Sequence, residues 1–221
     1  MRKLVVSTFM TLDGVMQAPG GPQEDPSGGF TYGGWSVNYW DEAMGAAMTE
    51  FFAKPFDLLL GRRTYEIFAA HWPHVTEDPA DVLNSARKYV ATRTLGKVEW
   101  NNSTLLEGDV AQAVADLKAQ DGPEIQVHGS SDLIQTLLAH DLVDEFQIWT
   151  FPVVVGAGKR LFGQGTVAAG LELVDAKTST TGVVMAIYRP AGDIPLGSFA
   201  LDDPTDEEID RRNRLAAEAG S

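Results

Sequence analysis

Apolar residues recur along this chain in two alternating rhythms, short continuous runs and helical i, i+3, i+4 spacings. Leu4, Val5, Val6 and Phe9 fall within Lys3–Met10 and predict a buried first strand. The rhythm then stops from Asp13 to Tyr39, where "APGGPQEDPSGGFTYGGW" is dense in glycine and proline. That density predicts a loop, and a loop this long inside a compact domain is usually functional. A helix is predicted over about Asp41–Ala53, with Asp41 and Glu42 in a first turn where the helix dipole favours anions. Phe56–Leu60 reads as a strand, Gly61 as a joint, and Tyr65, Phe68, Ala69 and Trp72 as one face of a helix that Pro73 ends.

Further on, Lys88–Thr92 and Lys97–Trp100 read as short strands. Val110, Val114 and Leu117 mark a helix closed by Gly122 and Pro123. The segment "EIQVHGSSDLIQTLLAHDLVDEFQIWTFPVVVG" gives a strand at Ile125–Val127, a glycine turn, a helix bearing Leu133, Ile134, Leu137 and Leu138, and another strand. Leu171–Thr178 and Val183–Arg189 alternate around Thr180–Gly182, a hairpin signal. Strands alternating with helices and closed by a hairpin define an α/β domain, its sheet mostly parallel with an antiparallel edge. Residues 191–221 hold eight acidic against three basic side chains, so we divide the chain into a domain at 1–190 and an acidic tail with a short helix after Pro204.

Charge and cysteine usage narrow the partners. A formal net charge of −14 over 221 residues disfavours nucleic acid and anionic membrane. The chain has no cysteine, which removes disulfides, thiolate metal sites and cysteine nucleophiles. No run reaches transmembrane length and no signal-peptide pattern opens the chain, so a cytoplasmic protein is expected. His71 and His74 in "HWPH" lack helical spacing and a third ligand, and no metal is expected.

Against the acidic background the basic positions stand out at strand ends. Gly61 leads into Arg62, Arg63 and Thr64 at a helix start, where unpaired amides attract an anion and guanidiniums strengthen the site. Gly129, Ser130 and Ser131 open a second helix, and Thr92 and Arg93 follow the strand between. Three such ends suit a ligand with several phosphates, such as a dinucleotide, and the arginine pair suits the 2′-phosphate of NADPH. Pairing of Arg62 or Arg63 with surface carboxylates is the competing reading for either one alone, and His128 either lines the cleft or lies beneath it. Proton donors are sought among Asp13, Asp41 and Glu42; a turn role for Asp13 and capping roles for the other two compete with catalysis. "GAGKRLF" lacks the spacing of a phosphate loop, and no G-x-S-x-G supports a hydrolase.

The order of "VVSTFMTLDG", "LLLGRRTYEIF", "YVATRTL", "VHGSSDLIQTLLAHDLVDEFQIWTFPVVVGAGKRLFG" and the closing hairpin resembles the dihydrofolate reductase-like superfamily. The likeness is nearer to the reductase domain of the bifunctional riboflavin-biosynthesis deaminase–reductase and covers roughly residues 2–190. It implies a central mixed sheet of about eight strands flanked by helices, with NADPH across its carboxyl edge. By the same resemblance, Arg62, Arg63 and Thr64 match the phosphate-binding helix start, Thr92 and Arg93 the adenosine side, and Gly129, Ser130 and Ser131 the turn under the pyrophosphate. In folate enzymes an acid on the first helix grips the pteridine, and Asp41 or Glu42 stands near that place. The chain lacks the cysteines of a zinc deaminase half. The implied function is hydride transfer from NADPH to a small pterin- or pyrimidine-like heterocycle, with a catalytically silent nucleotide-binding sensor or scaffold as the alternative. The apolar stretch "FQIWTFPVVV" and the resemblance make a homodimer the expected assembly.

Overall fold

The computed structural model describes residues 1–163 and 166–219. Its centre is an eight-stranded sheet in the order β4-β3-β2-β5-β1-β6-β8-β7. The strands are β1 (Leu4–Thr11), β2 (Phe56–Gly61), β3 (Lys88–Ala91), β4 (Ser103–Leu105), β5 (Glu124–Val127), β6 (Glu145–Phe151), β7 (Leu171–Thr178) and β8 (Val184–Pro190). The first six run parallel, and β8 and β7 are antiparallel, closing the sheet with a hairpin. Helices α1 (Glu42–Phe52), α2 (Arg62–His71), α3 (Ala80–Ser85), α4 (Val110–Ala119) and α5 (Ser131–Ala139) accompany it, and α6 (Asp206–Ala219) lies in the tail.

Every residue of β2 is buried, as an interior parallel strand covered on both faces requires. Leu59 joins Leu4, Val6, Ile125 and Val127 under α4 and α5. Leu58 and Leu60 point the other way, to Tyr65, Leu83 and Trp100. The alternation splits the core into two halves on opposite faces of the sheet. A third cluster joins Met44 of α1 to Trp149, Phe151 and Met185. The run "FQIWTFPVVV", which suggested a contact surface, begins as β6, buried between β1 and β8. Beyond the strand, Pro152 and Val154 of the same run are exposed.

One strand differs from the sequence reading. Residues 97–100 do not pair; the fourth strand is Ser103–Leu105 instead. The amides of Glu99 and Trp100 both donate to the Tyr65 hydroxyl, at 2.9 and 3.0 Å, and so are engaged by a side chain rather than by a ladder. Trp100 is held further by its indole N–H on Asn84 and by the Lys88 ammonium 4.1 Å from its ring centroid. Lys88 itself is buried, and desolvation lowers its pKa to about 8. Tyr65→Phe strands two amide donors, one of them on buried Trp100, and is expected to destabilise the fold by about 1–3 kcal/mol, measurable by urea denaturation.

The glycine-rich segment after β1 is an ordered strap with two single-turn 3-10 elements, Ser27–Gly29 and Val37–Tyr39. Gln17 organises it: its amide donates to the carbonyls of Asp25 and Ser27, and its carbonyl oxygens accept from Lys159 and Trp35. Val15, Ala18 and Phe30 form a small core beneath. After β8, residues 191–219 are exposed apart from half-buried Pro204 and Glu208. Among the described residues no helix is long and apolar enough to cross a membrane.

Candidate active site

Because β2, β3 and β5 are parallel, their carboxyl ends share one edge, with Gly61 in register with Ala91. The Gly61 amide donates to the Gly129 carbonyl at 3.0 Å, which sets the starts of α2 and α5 side by side. The contact is close because neither joint carries a side chain. A Cβ on Gly61 would lie 2.2 Å from the Ser130 hydroxyl oxygen and 2.8 Å from its backbone nitrogen. Gly129, at φ +149°, would place a Cβ 2.5 Å from the Thr64 hydroxyl oxygen. The Gly129–Ser130 peptide is cis. Two sets of unpaired helix amides therefore converge beside Thr64, Ser130 and Ser131, an arrangement suited to phosphate. Thr92 and Arg93 lie further along the same edge; the Thr92 hydroxyl accepts from the amides of Thr94 and Leu95, and Arg93 is exposed.

Both arginines have carboxylate neighbours. Arg62 pairs with Glu66 at 3.4 Å on the helix surface, and Arg63 stands 3.7 Å from Asp25 of the strap. Asp25 also takes the Lys159 ammonium and the Ser27 hydroxyl. Burial pushes its carboxyl up, but these two partners outweigh burial and hold it below the ordinary value. The "GAGKRLF" segment thus contributes Lys159 to the site, although its spacing gave no phosphate-loop signal.

Between the strap, α1 and α2 lies a cavity of about 350 Å³. Thr8 and Phe9 of β1 and Met48, Phe51 and Phe52 of α1 line it, facing Phe68 of α2. Arg63, Thr64, Ser130, Ser131 and Lys159 reach its border, so the cavity abuts the converging helix starts. His128 lines it too. Its ring lies among those of Phe51, Phe52 and Phe68, its Nε2 is buried without a hydrogen-bond partner, and burial lowers its pKa to about 4. The imidazole is neutral at pH 7.

The three acids singled out in the sequence sit elsewhere. Asp13 accepts from the Thr11 hydroxyl at 2.6 Å and from the amides of Val155 and Gly156, tying the end of β1 to the loop after β6. The Thr11 bond, opposed by burial and aided by those amides, lowers its pKa. Asp41 caps α1 through the Met44 amide and grips both the amide and hydroxyl of Thr180 in the β7–β8 turn. The Thr180 hydroxyl and the Met44 amide lower its pKa. Glu42 is exposed in the first turn of α1. None of the three borders the cavity, whereas Glu24 and Asp25 do. Burial raises the Glu24 carboxyl above its ordinary value although the amides of Gly20 and Gly21 donate to it. The only sequence signal for these two was their place in "PQEDPSG" within the long loop.

The mixed sheet with its terminal hairpin and flanking helices is a dihydrofolate reductase-like fold, with a cavity at the carboxyl edge. The chain belongs to the family of the RibD C-terminal domain, whose model matches residues 2–185. Two relatives are from Bacillus subtilis (strain 168). The uncharacterized protein YyaP is 28% identical over 194 residues, covering 85% of this chain and 95% of its own length. The uncharacterized protein YwjB is 27% identical over 179 residues, covering 80% and 91%. Among solved structures, a putative riboflavin biosynthesis protein from Shewanella sp. PV-4 aligns with a TM-score of 0.61 at 21% identity, over 86% of this chain and 99% of that one. Dihydrofolate reductase from Enterococcus faecalis, complexed with NADP(H), aligns at 0.54 and 14% identity, over 85% and 96%. These likenesses carry the fold.

Proposed function

We propose that this chain is a cytoplasmic NADPH-dependent oxidoreductase that reduces a small heterocyclic, pterin- or pyrimidine-sized substrate. The observation that carries the reading is the juxtaposition of two glycine-led helix starts, at Gly61 and at Gly129, with a cavity sized for a ring. The E. faecalis reductase complexed with NADP(H) shares the fold and lends support. When bound, NADPH supplies a hydride from its nicotinamide C4. The amides and hydroxyls at Thr64, Ser130 and Ser131 hold the phosphates, with Gly61 and Gly129 leaving room for them. Arg62 and Arg63 favour the 2′-phosphate, and Thr92 and Arg93 border the adenosine side. The strap covers the cavity and excludes water.

Titration with NADPH and with NADH, followed by tryptophan fluorescence, tests the cofactor. Micromolar NADPH binding with NADH much weaker is expected; binding of neither removes the reading. Proton delivery falls to Glu24 rather than to Asp13, Asp41 or Glu42, because Glu24 borders the cavity and burial favours its protonated form. Glu24→Gln is expected to lower turnover about a hundredfold with NADPH affinity unchanged, as loss of a general acid does. The silent-sensor reading is favoured by the absence of Asp13, Asp41 and Glu42 from the cavity lining; steady NADPH oxidation with any substrate excludes it. For assembly, we propose a second copy seated on β7, an edge strand whose eight residues are all exposed and include Leu171, Leu173 and Val174. A monomer by size-exclusion chromatography would refute this.

A further inference from the structure

Trp40 lines the cavity and is also 46% exposed, which puts it at the cavity's mouth. Its ring leans on those of Phe9 and Trp149, each with its centroid 5.8 Å away. These two stack on one another at 5.3 Å and 25°. Phe9 lines the cavity as well, so two of the three clustered rings meet whatever occupies it. The chain on either side of Trp40 is fixed by the turn between β7 and β8. The Thr181 hydroxyl donates to the Tyr39 carbonyl at 2.5 Å, and the amide and hydroxyl of Thr180 each donate to the Asp41 carboxylate at 2.7 Å. The Trp40 amide itself closes a turn on the Val37 carbonyl. An aromatic face held this firmly loses little freedom when a flat ring stacks on it. Charged side chains share the same lining, namely Glu24, Asp25, Arg63 and Lys159. A bare hydrocarbon would cover them without offering a partner, whereas a ring bearing carbonyl and N–H groups can meet them.

Building on the reductase reading, we propose that the substrate is a flat heterocycle of two fused rings, and that Trp40 sets this preference by stacking on the ring nearer the mouth. The charged side chains take the heteroatoms of the other ring. A single ring held by those groups falls short of Trp40 and forgoes the stacking. Asp41 acts through Trp40: it is a positioning residue, which keeps the platform in place by gripping Thr180.

Calorimetry on the full chain with two matched probes tests this. Lumazine (pteridine-2,4-dione) and uracil carry the same 2,4-dione ring and differ by the second, fused ring. Lumazine is expected to bind at least about tenfold tighter than uracil. Trp40→Leu, which keeps apolar bulk but removes the aromatic face, is expected to weaken lumazine about tenfold and uracil by less than about twofold. Trp40→Phe is expected to restore most of the loss. Equal losses for both probes, or none for either, overturn the role of Trp40. NADPH affinity is expected to be unchanged in Trp40→Leu; a loss as large as that of lumazine would assign the ring to the cofactor and overturn the proposal. Asp41→Ser keeps a capping oxygen for the Met44 amide but is too short to hold Thr180. It is expected to weaken lumazine about threefold with uracil unchanged, and unaltered lumazine binding removes the positioning role. The two readings fail separately. NADPH binding without discrimination between lumazine and uracil defeats this proposal alone. Discrimination without NADPH binding defeats the reductase reading and the substrate role with it, leaving Trp40 as the platform of a heterocycle-binding cavity. Binding of neither NADPH nor lumazine defeats both.

Discussion

Arg2→Ala is expected to destabilise the protein by about 3–5 kcal/mol, because it leaves a buried carboxylate without its counter-ion. Arg2 is 6% exposed and Asp57, in the second residue of β2, is 5% exposed; the guanidinium pairs with that carboxylate and also donates to the Pro123 carbonyl at 2.7 Å. The residues that meet here precede β1, begin β2 and precede β5, at the sheet edge opposite the cavity. Urea denaturation should therefore show a large fall in midpoint, while NADPH affinity of the protein that remains folded is unchanged. Arg2→Met combined with Asp57→Leu removes both charges and is expected to recover most of the stability. A single-variant loss below about 1 kcal/mol would mean that water reaches Asp57.

Gly61→Val should combine a loss of about 3 kcal/mol with failure of the proposed phosphate site. The Cβ alone would lie 2.8 Å from the backbone nitrogen of Ser130, and a backbone atom cannot rotate away as a hydroxyl can. Accommodation requires the starts of α2 and α5 to part, and the two sets of amides then no longer converge. Expected results are a lower denaturation midpoint and NADPH binding weakened at least a hundredfold. Gly45→Ala provides the control: the residue lies within α1, a Cβ there meets nothing within 4 Å, and a gain of about 0.5–1 kcal/mol is expected from helix propensity. Unchanged NADPH affinity in Gly61→Val would detach cofactor binding from the helix starts.

The parallel framework was readable because its strands are short apolar runs followed by glycines and helical periodicities. β4 was not, since Ser103-Thr104-Leu105 is short and half polar, and the nearby Trp100 imitated a strand end while its amide was engaged by Tyr65. The helix starts were legible through Gly-Arg-Arg-Thr and Gly-Ser-Ser, whose chemistry is local. The cavity acids were not, because the position of Glu24 and Asp25 depends on contacts between the strap and residues more than a hundred positions away, such as Lys159. Asp41 looked available for chemistry for the same reason: its partner Thr180 lies 139 residues distant. The run in β6 shows a further limit, for periodicity cannot tell a strand buried by its own sheet from one buried by another copy.

The position of β1 also sets a timetable. Of the strands in this sheet it is made first, yet it lies between β5 and β6, whose register partners begin at Ile125 and Glu145. Until β5 is made it has no neighbour, while β2, β3 and β4 can pair among themselves. Threading it into place closes loops of more than a hundred residues, an entropically slow step. The part of the cavity lining that β1 supplies, Thr8 and Phe9, is thus expected to be completed late, and a nascent chain halted before β6 to depend on chaperones that shield the apolar residues of β1.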